Sequence, residues 1–148
     1  VYRIETAHTD SGDIPAWDTY PAKYEFFMPL TAKKAGLLLR SLEFRVKGYV
    51  PGTMRTVLRK YGSTTALADK SIDLVRGYND VVLDMGSIAL EKGVEYQLYF
   101  AASNNFYPPS VQPSWVAAND CIDIAQGSAY YGDDTTLIFS GTVVLQET

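Results

Sequence analysis

The feature that most constrains this chain is a period of two. In "LEFRVKGY" Leu42, Phe44 and Val46 alternate with Glu43, Arg45 and Lys47. An extended strand sends such residues to opposite faces, one dry and one wet. A helix has no use for that spacing, because its apolar stripe recurs every three or four residues. The turn "VPGT" (Val50 to Thr53) then supplies Pro and Gly in the order a β-turn wants, and "MRTVLRKY" follows as a second strand. Strands with one solvated face belong to antiparallel sheets packed on one side only.

The pattern continues along the chain. "SIDLV" reads as a third strand and "DVVLDM" as a fourth, after the turn "RGYND". "LEKG" turns the chain into "VEYQLYFA", where Val94, Tyr96, Leu98 and Phe100 share a face. "CIDIA", "SAYY" and "TLIFSGTVVLQ" come later, the last aligning Leu137, Phe139, Val143 and Leu145, while "VYRIET" and "KYEFFMPL" add strands in the N-terminal third. Only "LTAKKAGLLLRS" offers a helix, and Gly36 weakens that reading. "NNFYPPSVQPSW", Asn104 to Trp115, has no charge and no strand period, and is expected to be a long crossover. Roughly eight to ten short strands separated by turns predict one all-β domain over residues 1–148, an antiparallel sandwich.

Composition narrows the function classes. A formal net charge of −4 makes nucleic acid an unexpected partner. No apolar run reaches the length of a bilayer-spanning helix, so no membrane insertion is expected. The chain starts at Val1 rather than Met, which reads as a processed product or a segment of a longer protein. Cys121 is the only cysteine, so an internal disulfide, a zinc quartet and a CxxC redox motif are all impossible. It reads as a small buried apolar residue in a strand.

The order "LRSLEFRV…PGTMRTVLRKYG…VVLDMGSIALEKGVEYQLYFAAS" resembles a widespread jelly-roll type, and "QGSAYYGDDTTLIFSG" is similar to that type's ending, with Trp115 upstream of it. The resemblance spans about residues 24 to 145 and departs at Thr135 and Thr136, where the type carries Asp before its last strand. It implies an all-β, antiparallel jelly-roll β-sandwich with a carbohydrate-binding-module-like shape. Such domains occur in bacterial surface proteins, beside glycoside-active enzymes, and in phage tail or fibre proteins. They serve there as adhesive or structural modules, which implies an extracellular or virion-surface location.

The inventory for catalysis is thin. His8, the only histidine, lies in the polar "TAHTDSGD" segment, and GxSxG, HExxH, P-loop and GxGxxG patterns are all absent. A glycosidase needs two carboxylates facing across a cleft. Glu43, Asp73, Asp84 and Glu95 fall instead at outward strand positions or turns, where solvated charge protects a sheet. The expectation is a protein that is not an enzyme and carries no cofactor. Asp120, Asp123, Asp133 and Asp134 leave a structural calcium as the alternative to a Gly-Asp-Asp hairpin turn, with the turn favoured for want of D-x-D-x-D spacing.

Sugar recognition needs flat aromatic faces with amides or acids beside them. The loop segments carry these types, and Trp17, Tyr20, Asn105, Tyr107, Gln112 and Tyr131 are the candidate ligand-binding residues, with Trp115 assigned to the core. The partners expected are a glycan or cell-surface polysaccharide, or else identical subunits and other assembly proteins. Charge is segregated along the chain: ten of the thirteen basic residues lie between Lys33 and Arg76, whereas beyond residue 76 only Lys92 stands against nine acids. That asymmetry reads as solvated sheet faces of opposite sign. An anionic polysaccharide lying on Arg45, Lys47, Arg55 and Arg59, or head-to-tail packing of subunits, is the functional alternative.

Overall fold

Alternation in the sequence becomes alternation in burial. The computed structural model describes residues 1–8, 23–48, 50–107, 110–111, 115–116, 119–124, 128–129 and 138–148. Of residues 7, 8, 23, 24, 105, 107, 110, 111, 115, 116, 128, 129 and 138 it describes the backbone alone. In chain order the strands are β1 (Tyr2–Glu5), β2 (Ala7–His8), β3 (Lys23–Ala32), β4 (Leu37–Gly48), β5 (Gly52–Lys60), β6 (Ala68–Leu74) and β7 (Gly77–Leu90). They continue with β8 (Glu95–Tyr107), β9 (Ser110–Val111), β10 (Trp115–Val116), β11 (Ile122–Ile124), β12 (Ser128–Ala129), β13 (Ile138–Phe139) and β14 (Gly141–Glu147). No helix occurs among the described residues, and so none long and apolar enough to cross a membrane.

Pairing sorts the long strands into two antiparallel sheets. One runs β1-β14-β4-β7. The other runs β6-β5-β8-β3, with β11 and β12 end to end along the outer edge of β3. Apart from the β5-β6 hairpin, successive long strands cross between the sheets in the jelly-roll order, so this is an all-β jelly-roll sandwich. At one end the sheets are sewn together, where β8 leaves β5 and pairs with β4 through Lys47↔Tyr107 and Gly48↔Phe106.

The core is the dry face of both sheets. Phe26, Met28, Leu30, Leu39, Leu42, Val46, Met54, Leu58, Leu98, Phe100, Val143 and Leu145 are fully buried. Phe44 and Phe100 meet edge to face across the sandwich at 5.4 Å, and Phe139 stacks on Phe100 at 5.9 Å. Each such side chain contributes roughly 1.5–3 kcal/mol by leaving water. Cys121 is buried, as its sequence context predicts, although it sits at the bend before β11 rather than within a strand.

Two expectations change. "LTAKKAGLLLRS" holds no helix: it is the end of β3, a turn with Gly36 at φ 78°, and the start of β4. The ambiguity has a physical source. Arg40 of β4 stands opposite three residues of β7, because the register jumps from Leu39↔Ile88 to Ser41↔Asp84 around Gly86 at φ 75°. Arg40 and Ser41 therefore both turn away from the core, and the broken period resembles helical spacing. "NNFYPPSVQPSW" is also not wholly irregular. Its first four residues finish β8, and Phe106 is fully buried where the sheets are sewn.

Where β1 gives way to β2, a side chain replaces part of the ladder. Thr6, 2 % exposed, donates its hydroxyl to the Phe139 carbonyl at 2.6 Å and accepts the Gly141 amide at 3.1 Å. Its own amide donates to the Gly141 carbonyl at 2.9 Å. Gly141 is required there, since a Cβ would lie 2.5 Å from the Glu43 carbonyl oxygen.

Candidate functional site

The wet face of the β1-β14-β4-β7 sheet carries a shallow groove of about 470 Å³. Register builds it. Glu5, Thr142, Glu43 and Val82 stand side by side on four neighbouring strands, and Arg45↔Asp80 and Lys47↔Tyr78 form the next rows toward the sewn end. Three strand spacings give the first row a reach of about 14 Å. Glu5, Glu43, Arg45, Asp80, Val82 and Thr142 all line the groove. Val82, 75 % exposed, and Tyr78, 59 % exposed, are the apolar surfaces on this face.

Most of its charges are paired. Arg45 grips Asp80 with two bonds, Nε to Oδ1 at 2.7 Å and Nη2 to Oδ2 at 3.2 Å. Those bonds hold the Asp80 carboxyl below the usual carboxylate range. Arg3 donates to Glu43 at 2.5 Å. Tyr78 is flanked by cations, with the Arg45 guanidinium 5.3 Å and the Lys47 ammonium 5.9 Å from its ring centre. The groove thus gathers carboxylate acceptors and a threonine hydroxyl, with the exposed Tyr78 ring in the row beyond its lining.

The other sheet presents a different wet face. Phe27 and Tyr99 pack at 4.9 Å between centroids, both half-buried. Tyr99 donates to Glu25 at 2.5 Å. Burial first, and then that bond, push the Tyr99 phenol up to about 12. Arg55 makes two bonds to Asp69, at 2.8 and 2.6 Å, and Arg59 two to Gln97 Oε1, at 3.1 and 2.9 Å. These groups satisfy one another.

The basic face imagined from sequence is therefore divided. Arg45 and Lys47 belong to β4 and Arg55 and Arg59 to β5, so the two pairs sit on opposite outer surfaces. The segregated charge is also interleaved in space: Arg45 meets Asp80, Lys60 meets Glu91 at 3.1 Å, Lys34 meets Glu147 at 3.5 Å, and Lys33 meets Asp123 at 3.9 Å. Antiparallel crossovers lay the basic first half against the acidic second half. Of the candidate calcium ligands, Asp133 and Asp134 lie outside the described residues, and Asp120 and Asp123 are exposed.

Of the residues chosen from sequence, Trp17, Tyr20, Gln112 and Tyr131 lie outside the described residues. Asn105 and Tyr107 belong to β8 and are described by backbone alone, as Trp115 is in β10. Their backbone neighbours share one end of the sandwich. Phe106 pairs with Lys23 and Gly48, Tyr107 with Lys47, Trp115 with His8, and Ser110 with Phe139. The described flanks of those segments thus gather where the groove opens toward Tyr78. Tyr78, Asp80 and Thr142 were not singled out from sequence. The signal was there for the first two, since the alternation of "GYNDVVLD" sends Tyr78, Asp80 and Val82 to one face.

Fold and groove define a jelly-roll β-sandwich with a polar channel on one outer sheet. The sequence matches no protein-family model, and no curated protein is similar to it.

Proposed function

We propose that this protein is a non-catalytic recognition module that binds glycans, working at a cell or virion surface as part of a surface or phage tail or fibre protein. The observation that carries this reading is the open groove of acceptors beside the exposed Tyr78, at the end where the flanks of the candidate aromatic segments gather. Shallow channels of this chemistry suit extended saccharides, whose hydroxyls donate to carboxylates while their C–H faces cover rings. The state of the carboxylates favours binding over hydrolysis. A glycosidase acid needs a raised pKa, whereas Asp80 is held low by its two bonds from Arg45.

The test is a glycan array with the whole chain and the variants Trp17→Ala, Tyr107→Ala and Tyr78→Ala. Loss of signal with an unchanged melting temperature supports the reading. An array with no hits refutes it, and favours a structural module of a virion or extracellular assembly in which the same aromatics fill subunit contacts. A native mass measurement showing a ring or trimer would accompany that outcome.

A further inference from the structure

Four charged residues line the groove, and three of them are engaged. Arg45 and Asp80 hold each other, and Arg3 holds Glu43 through Oε1. Glu5 is the exception. It is exposed, and its side chain makes no ion pair or hydrogen bond among the described residues. Arg3 lies two residues away on the same strand, yet it reaches to Glu43. On its β1 side the groove therefore ends in one uncompensated negative charge.

That carboxylate stands in a fixed row. Glu5 pairs with Thr142 and Thr142 with Glu43, so the threonine lies between the two acids. The next residue, the buried Thr6, ties its amide to the Gly141 carbonyl at 2.9 Å and its hydroxyl to the Phe139 carbonyl at 2.6 Å. Two strand spacings, roughly 10 Å, separate Glu5 from Glu43. Val82 continues the row with an exposed apolar side chain. A row fixed in advance lowers the ordering cost of binding.

Charge then decides among ligands. A uronate or sulfated sugar would be repelled by Glu5, and a neutral sugar gains no charge-assisted bond to a cation of its own. Calcium takes about six to eight oxygen ligands, far more than one unengaged carboxylate supplies. A lysine side chain brings the cation without hydroxyls for Thr142 and Glu43. A ring that carries one ammonium and several hydroxyls fits the whole row.

Resting on the glycan reading above, we propose that Glu5, Thr142 and Glu43 bind a hexosamine residue whose amino group is free. Its ammonium donates to the Glu5 carboxylate, its hydroxyls meet Thr142 and the second oxygen of Glu43, and the next sugar lies toward Val82.

The experiment titrates the isotope-labelled whole chain with glucosamine and galactosamine oligosaccharides and with their N-acetylated counterparts, and follows backbone amide shifts. At least one free-amine form should bind, with shifts centred on Glu5, Thr142 and Glu43. Its acetylated counterpart should bind at least about tenfold more weakly, the loss expected for a hydrogen bond to a charged group. Glu5→Gln should erase that difference and leave the melting temperature unchanged, because the Glu5 side chain has no partner to lose. Amine and acetylated forms that bind equally, or a difference that survives Glu5→Gln, overturn the proposal and leave the glycan reading standing. A glycan array that includes these amino sugars and gives no hits overturns both. A short oligolysine that competes as well as the hexosamine also overturns it, because positive charge alone would then explain the binding.

Discussion

Replacing Thr6 by Val removes one hydroxyl and almost no volume, and so isolates the clamp between β1 and β14. The hydroxyl serves two buried backbone groups, the Phe139 carbonyl at 2.6 Å and the Gly141 amide at 3.1 Å. Each loses a partner in a place that water does not reach, at a cost of roughly 1–3 kcal/mol apiece. The added methyl returns roughly 0.8 kcal/mol by burial. The net expectation is a loss of about 1–5 kcal/mol, or a fall of roughly 3–20 °C in melting temperature for a domain of this size. Urea denaturation followed by fluorescence measures it, provided that the m-value is unchanged. Thr6→Ser is the matched control: it keeps the hydroxyl, loses only the methyl, and should cost about 1 kcal/mol. The reasoning fails if Thr6→Val is as stable as the parent, or if Ser is the more damaging of the two. Either result would mean that apolar packing, not hydrogen bonding, holds Thr6 in place. The outcome matters for the groove, because Thr6 fixes the end of the strand that presents Glu5.

Two further outcomes follow from the same structure. Gly141→Ala would drive a Cβ to within 2.5 Å of the Glu43 carbonyl oxygen, forcing β14 away from β4; a loss of about 1–3 kcal/mol is expected, with amide shifts centred on β4 and β14 and reaching Thr6 and Phe139. The Tyr99 phenol, pushed up to about 12 by burial and then by its bond to Glu25, should ionise later than exposed tyrosines. Because its folded value lies above the unfolded one of about 10, its contribution to stability is complete below pH 10 and is lost as pH rises toward 12. Tyrosinate absorbance should therefore show a late step that vanishes in Tyr99→Phe and moves to lower pH in Glu25→Gln. A titration indistinguishable between parent and Tyr99→Phe would count against it.

Much of the fold was legible because strand faces are a local property. Leu42, Phe44 and Val46 turn inward and Glu43 and Arg45 outward for the same reason that any extended backbone alternates, and burial along β4, β5, β7 and β8 follows. Where a bulge breaks the period, at Arg40 and Ser41, the local pattern is ambiguous between strand and helix. Where β8 runs on through Phe106 into the second sheet, composition resembled a loop.

The groove needed more than alternation. Sequence alone determined that Glu5, Glu43, Asp80 and Thr142 each lie on a strand whose faces alternate. It did not determine that they are neighbours, since Glu5 meets Thr142 across most of the chain and Arg45 meets Asp80 across two intervening strands. Strand order and register arise from long-range packing of the dry faces, where one residue of slip would exchange core for surface. That packing interleaves the basic and acidic halves of the chain and divides Arg45 and Lys47 from Arg55 and Arg59. The tertiary structure thus decided which charges meet, and with them which face offers a site.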